Sequence, residues 1–338
     1  MYLVPVFIFI GYYLFFLHPH FQKLSERKYN NLSALGFVLF DEEYSDRVID
    51  CFADENEWIV KEYDEKSGYV NRNCILTIGD SFSDERVGSY SNSLAHILDT
   101  CIVANLKNPY PYPNPFIKYW EFFVNESELP SVIIVESVER SLINRLLELD
   151  FDQNEFAISS GVEKEKITEL ERLKKRTSDY YKNLLKRKNK RPVRYVKLAK
   201  ELFSCKGSES EFYFYDEEIT ITNTLEEIEI ASQKIDSLFL FAEERNIKLI
   251  ILIAADAYDV YQSYIVDNPY SPKTVLDELT TRIANANYID TKQLFLPYLE
   301  QGVKDIYWCT DTHWSPVGAT IVAEEIARRM DSLGVLRN

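Results

Sequence analysis

Two short segments hold the residue types of a nucleophilic site: Gly79-Asp80-Ser81-Phe82-Ser83, and Asp311-Thr312-His313-Trp314-Ser315-Pro316 near the C-terminus. A serine hydroxyl attacks poorly until a base takes its proton, and the base needs an acid to fix its tautomer. The chain has four histidines, and His313 alone has a carboxylate two residues before it and a helix start just behind it. His18 and His20 adjoin an uncharged N-terminal stretch, and His96 falls in the helix after Ser81 as a packing residue. The two segments could together supply a nucleophile in Ser81, a base in His313 and an orienting acid in Asp311; the plainer reading has His313 only capping the last helix or packing against Trp314.

Such a site needs elements that bring two distant segments together. From residue 73 onward, short apolar runs alternate with amphipathic stretches, the pattern of parallel strands joined by helices. Strands are predicted at Cys74 to Ile78, Cys101 to Asn105, Ser131 to Val135, Ile247 to Ile253 and Asn287 to Asp290. Helices are predicted at Tyr90 to Leu98, Phe116 to Val124, Leu225 to Arg245 and Pro316 to Met330. Ser315 is the expected N-cap of the last, with Pro316 at its first position, where a missing N–H costs nothing. Gly79 follows a strand, so Ser81 falls at the C-terminal edge of the sheet, where sites in open α/β folds lie. A helix starting there would let the Ser81 amide steady an oxyanion.

A formal charge of −16 argues against nucleic acid, which wants a basic footprint. Five cysteines (Cys51, Cys74, Cys101, Cys205, Cys309) show no metal-ligand spacing and read as unpaired, mostly buried thiols. No metal and no cofactor is expected, since no glycine-rich phosphate loop follows a strand. Residues 1–22 lack Asp, Glu, Lys and Arg, and as a helix they would just span a bilayer core, which makes them an uncleaved anchor. Residues 23–72 form an extension, and 73–338 the main domain. An insertion at about 150–210 carries a stretch, 163–201, with fifteen Lys or Arg against six acids and weak helical periodicity. It reads as a solvated helical excursion, or as a surface for an anionic partner, with Phe212 to Tyr215 looking like a strand at its edge. The cations Lys23, Arg27 and Lys28 behind the apolar stretch would by charge alone keep the main domain cytoplasmic.

GDSFS after a strand and DTHWSPVGA opening the last helix resemble the SGNH-hydrolase superfamily, above all its polysaccharide O-acetyltransferase branch of the alginate AlgX/AlgJ (DHHW) type. PSVIIVESVERSL, with Glu136, Glu139 and Arg140, resembles the branch's middle strand, and IKLIILIAADAYDVYQSYI its later strand and loop. The resemblance implies an SGNH/flavodoxin-like three-layer α/β fold with a central parallel sheet. It also implies an acetyl-enzyme on Ser81, a polysaccharide acceptor, an extracytoplasmic domain, and a multi-spanning membrane partner that supplies acetyl. Three departures stand out. The acid–base spacing is Asp-x-His rather than Asp-x-x-His, which favours the acetyltransferase branch. Ser81 precedes His313, the reverse of the alginate proteins. The glycine and the Gly-x-Asn-Asp block that complete the oxyanion hole are not recognisable, so Asn105 is the best substitute donor, with Trp314 and Arg140 assigned to the substrate side. An esterase with water as acceptor uses the same triad, and a non-catalytic polysaccharide-binding subunit could keep the same fold.

Overall fold

The computed structural model describes residues 59–63, 74–84, 89–99, 102–106, 114–125, 129–151, 193–309 and 311–335. At its centre is a six-stranded sheet, parallel throughout. Its strands are β1 (Lys61–Tyr63), β2 (Cys74–Ile78), β3 (Ile102–Leu106), β4 (Val132–Val138), β7 (Lys248–Ala254) and β8 (Tyr288–Asp290). The order across the sheet is β1-β3-β2-β4-β7-β8. Strands buried on both faces read as unbroken apolar runs, as Val132–Val135 and Leu249–Ala254 do. β1 was not expected: it is a three-residue edge strand from the N-terminal extension, too short to leave a periodic signal.

The crossovers place helices on both faces. α2 (Tyr90–Leu98), α9 (Thr291–Glu300) and α10 (Pro316–Ser332) pack together on one side. On the other lie α3 (Pro115–Asn125), α4 (Glu139–Glu148), α6 (Leu225–Glu244) and α8 (Val275–Thr280). The described residues also include three short α-helices, α1 (Ser81–Asp84), α5 (Glu217–Thr220) and α7 (Ala257–Tyr261). This is the three-layer α/β, SGNH-like architecture. The expected helices and the five expected strands are present with ends shifted by at most three residues. α6 begins with a capping box between Thr224 and Glu227, and α10 with the Ser315 hydroxyl accepting from the Val317 amide at 3.0 Å.

The topology also fixes where a site can form. After β2 the chain goes to one side to make β3, then crosses back to make β4 on the other side of β2. Beyond the C-terminal ends of β2 and β4 the two connections diverge and leave a crevice, the switch point of an open α/β sheet. Ser81 follows β2 there, and Glu139 and Arg140 follow β4.

Two readings are corrected. Residues 193–197, taken as part of a helical excursion, form β5 (Val193–Lys197), which pairs antiparallel with β6 (Glu211–Tyr215). Val196, Phe212 and Phe214 turn into the core, while Tyr195 faces out, a period-two pattern hidden by the charged residues around it. The remainder of the basic stretch, up to residue 192, lies outside the described residues. The second correction concerns sulfur: Cys205 and Cys309 form a disulfide across 104 residues of sequence. No spacing rule could pair them, because only the tertiary fold brings the two loops together. The expected anchor at 1–22 lies outside the described residues, among which no helix is long and apolar enough to cross a membrane.

Candidate active site

The loop between α9 and α10 is held closed before it presents any side chain. Tyr307 and Trp314 form an antiparallel bridge, and the Ser315 amide donates to the Ile306 carbonyl at 3.0 Å. The Asp305 amide reaches the Leu202 carbonyl at 2.9 Å, and Asp305 Oδ1 accepts from the Ser204 amide at 2.8 Å. The Cys205–Cys309 disulfide ties the same two segments covalently. Gly318, in the first turn of α10, allows the helix to close on this loop, since a Cβ there would lie 2.4 Å from the Ile306 carbonyl oxygen.

Within that clasp His313 Nδ1 lies 2.6 Å from Asp311 Oδ1, and the same oxygen accepts from the His313 amide at 2.9 Å. A carboxylate only accepts, so Nδ1 carries the proton and leaves Nε2 of the neutral ring as an acceptor. Nε2 lies 2.8 Å from Ser81 Oγ. The three residues named from sequence therefore form one continuous hydrogen-bonded line across 232 residues of chain. Phe82 packs its ring 4.8 Å from the His313 ring and 4.7 Å from that of Trp314. His313 keeps 9 % exposure and Ser81 is half-buried, so the site is not sealed from solvent. Such a line can draw the serine proton onto the imidazole and hold the imidazolium against Asp311.

The other three candidates have different placements. Asn105 is buried at the end of β3; its Nδ2 donates to the Ser83 carbonyl at 2.9 Å and its Oδ1 accepts from the Thr77 hydroxyl at 3.1 Å. It braces the serine turn from behind. Trp314 is buried, with Phe82, Tyr90 and Phe295 around it. Arg140 opens α4 and donates from Nη1 to Asp256 Oδ1 at 2.5 Å. Lys273 holds the other oxygen of Asp256 at 2.5 Å and Glu139 at 2.8 Å. Burial works against both cations, but the surrounding acids, Asp256 first, with Glu218 acting on Arg140 and Glu139 on Lys273, together raise both above their usual values. Burial lifts Glu139 well above the carboxylate range even beside Lys273. It also lifts Glu218 to about 7, with Asp256 adding to the rise and Arg140 opposing it. Among the described residues no cluster of His, Cys, Asp and Glu is arranged to hold a metal.

The serine turn also has supports that the spacing of residues could not reveal. Asp80 Oδ2 accepts from Arg145 at 2.9 Å and from the Val138 amide at 3.3 Å. Glu136 Oε2 accepts from the Asp80 amide and from the Ser83 hydroxyl, both at 2.9 Å. The available clue in sequence was Glu136 itself, an acid inside an apolar strand; Arg145 gave none.

Comparison with protein families bears on the second half of the site. Residues 208–337 match the model for the SGNH hydrolase-like domain of acetyltransferase AlgX. The segment is AlgX-like. The AlgX-like segment includes Asp311, His313 and Trp314, whereas Ser81, Asn105 and Arg140 precede it. No curated protein and no solved structure gave a significant match. The fold and the AlgX-type match agree with an acetyltransferase or esterase family.

Proposed function

We propose that the protein is an O-acetyltransferase that moves acetyl onto a hydroxyl of a polysaccharide through an acetyl-Ser81 intermediate. The observation that carries this reading is the 2.8 Å contact between Ser81 Oγ and His313 Nε2, with Asp311 at 2.6 Å behind the ring. Ser81 Oγ attacks the acetyl carbonyl of the donor as its proton passes to His313 Nε2. His313 then returns that proton to the departing group, which leaves acetyl on Ser81. A sugar hydroxyl next gives its proton to His313 and attacks the acetyl carbon. Collapse of the tetrahedral adduct frees Ser81, which takes the proton back. The Ser81 amide is the first candidate for the oxyanion. Arg140, fixed through Nη1 and partly exposed, is a candidate for the acceptor side.

An AlgX-type match in residues 208–337 supports acetyl transfer over other acyl chemistry. The Cys205–Cys309 disulfide supports a domain outside the cytoplasm, because disulfides persist in oxidising compartments. It weighs more than the three cations behind the N-terminal apolar stretch. On this reading residues 1–22 anchor the chain and a multi-spanning partner delivers acetyl.

The test is covalent trapping. Full-length protein incubated with an aryl acetate is expected to carry acetyl on Ser81 by mass spectrometry, and Ser81→Ala to carry none. Adding oligosaccharide should discharge the acyl-enzyme into acetylated sugar. Discharge to free acetate alone, whatever oligosaccharide is present, would make the protein an esterase. Absence of any acetyl at Ser81 would remove the enzymatic reading.

A further inference from the structure

Behind the serine turn lies a carboxyl group with no part in the proton line. Glu136 sits in β4, the strand paired with β2, whose register matches Ile78 to Val135. One step further, Gly79 and Glu136 meet: a Cβ on Gly79 would lie 2.4 Å from Glu136 Oε2 and 2.2 Å from Ser83 Oγ. The absence of a side chain at position 79 is what lets this carboxyl reach the turn. Its Oε2 accepts from the amide of Asp80, one residue before the nucleophile, and from the hydroxyl of Ser83, two residues after it. The Ser83 hydroxyl in turn lies 3.0 Å from the Tyr90 hydroxyl on α2.

We propose that Glu136 is a positioning residue for the Ser81 hydroxyl, its carboxyl group bracing both flanks of the nucleophile turn in the neutral, protonated form. The inference rests on the acyl-transfer reading of Ser81. The charges around Glu136 explain the proton. Glu136 is completely buried, and among the described residues no donor reaches its other oxygen, Oε1. An ionised group would bury half its charge unpaired. Its nearest titratable neighbours are Asp80 from the turn and Tyr90 from α2; the β7 residue in register with it is Leu252. The cations, Arg145 and at longer range Arg140, act on Asp80. Burial and then the Asp80 charge raise Glu136 well above the carboxylate range. Burial would raise Asp80 too, but Arg145, a side-chain hydrogen bond with Glu136 and, at longer range, Arg140 together override it and hold Asp80 below its usual value. One proton therefore resides on Glu136 and one charge on Asp80.

The sign of the linkage follows. An acid raised in the folded state contributes stability that is complete below its unfolded value, about 4.3, and fades as pH rises toward the folded value. The Glu136 and Asp80 side chains also share a hydrogen bond, so Glu136→Gln mimics the neutral acid, with an oxygen for the two donors and an NH2 to donate to Asp80. Glu136→Ala removes the brace.

The experiment compares wild type, Glu136→Gln and Glu136→Ala in the full chain by aryl acetate turnover and by thermal unfolding from pH 5 to 9. Glu136→Gln is expected to keep kcat within about threefold and to flatten the fall of melting temperature with pH. Glu136→Ala is expected to lose about 10²-fold in kcat with KM little changed, the cost of a nucleophile displaced by about an ångström. Equal loss of kcat in both variants, or an unchanged pH slope in Glu136→Gln, would overturn the proposal. If wild type fails to turn over the acetate, the acyl-transfer reading falls, and the melting arm still decides where the proton resides.

Discussion

At the scale of single residues, Asp311 uses one oxygen for two purposes. Oδ1 accepts from both the ring and the backbone of His313, so orientation and charge can be separated by substitution. Asn at position 311 can keep its carbonyl oxygen in the same place and hold the ring while removing the negative charge. What it loses is the charge-assisted part of the bond to the imidazolium, about 1.5–3 kcal/mol. We expect Asp311→Asn to lower kcat for aryl acetate by about 10- to 150-fold, with KM nearly unchanged. Asp311→Ala should cost more, since it also frees the ring. Steady-state kinetics of the two variants checks this, and an Asn variant as fast as wild type would show that the carboxylate only orients.

Between residues and the whole fold, the decisive contacts are close approaches at two glycines. Gly318 lets the first turn of α10 rest against the Ile306 carbonyl, and through the 306–315 clasp it sets the height of His313. Gly318→Ala must push helix and loop apart by a few tenths of an ångström or more. A cost of about 1–3 kcal/mol in stability is expected, typical of overpacking, together with a drop in kcat. Gly79→Ala is expected to be worse at the site, because its Cβ would meet the carboxyl of Glu136 and the hydroxyl of Ser83. Denaturant unfolding and kinetics on both variants separate the effects. A Gly318→Ala protein with wild-type kcat would mean that the loop does not depend on the helix start.

For the molecule as a whole, the loop that bears Asp311 and His313 is carried by a disulfide as well as by the sheet. Cys309 stands two residues before Asp311, and its partner Cys205 belongs to the loop joining β5 and β6. A cross-link closing a loop of roughly a hundred residues removes much conformational freedom from the unfolded chain. Reduction, or the double variant Cys205→Ser/Cys309→Ser, should cost about 2–5 kcal/mol of stability. It should also slow acyl turnover, because the clasp around Asp305 must then hold the loop alone. Thermal unfolding with and without reductant is the measurement; an unshifted melting temperature would show that hydrogen bonds suffice.

The strands and helices were legible because their residues carry the periodicity of what they become. VIIV and LIILIA are buried on both faces, and Ser315-Pro316 is a helix start written in two residues. The pairing of Ser81 with His313 was legible through residue types and spacing, since the chain offers one histidine with a carboxylate two residues away and a helix start just behind it. Three things were beyond the reach of sequence: the Cys205–Cys309 bond, strand β5 inside a basic stretch with its pairing to β6, and the Glu136–Asp80–Arg145 support beneath Ser81. Each depends on which distant segments become neighbours. Local periodicity reports how a segment buries its own side chains, whereas the order of strands in the sheet decides what lies beside them.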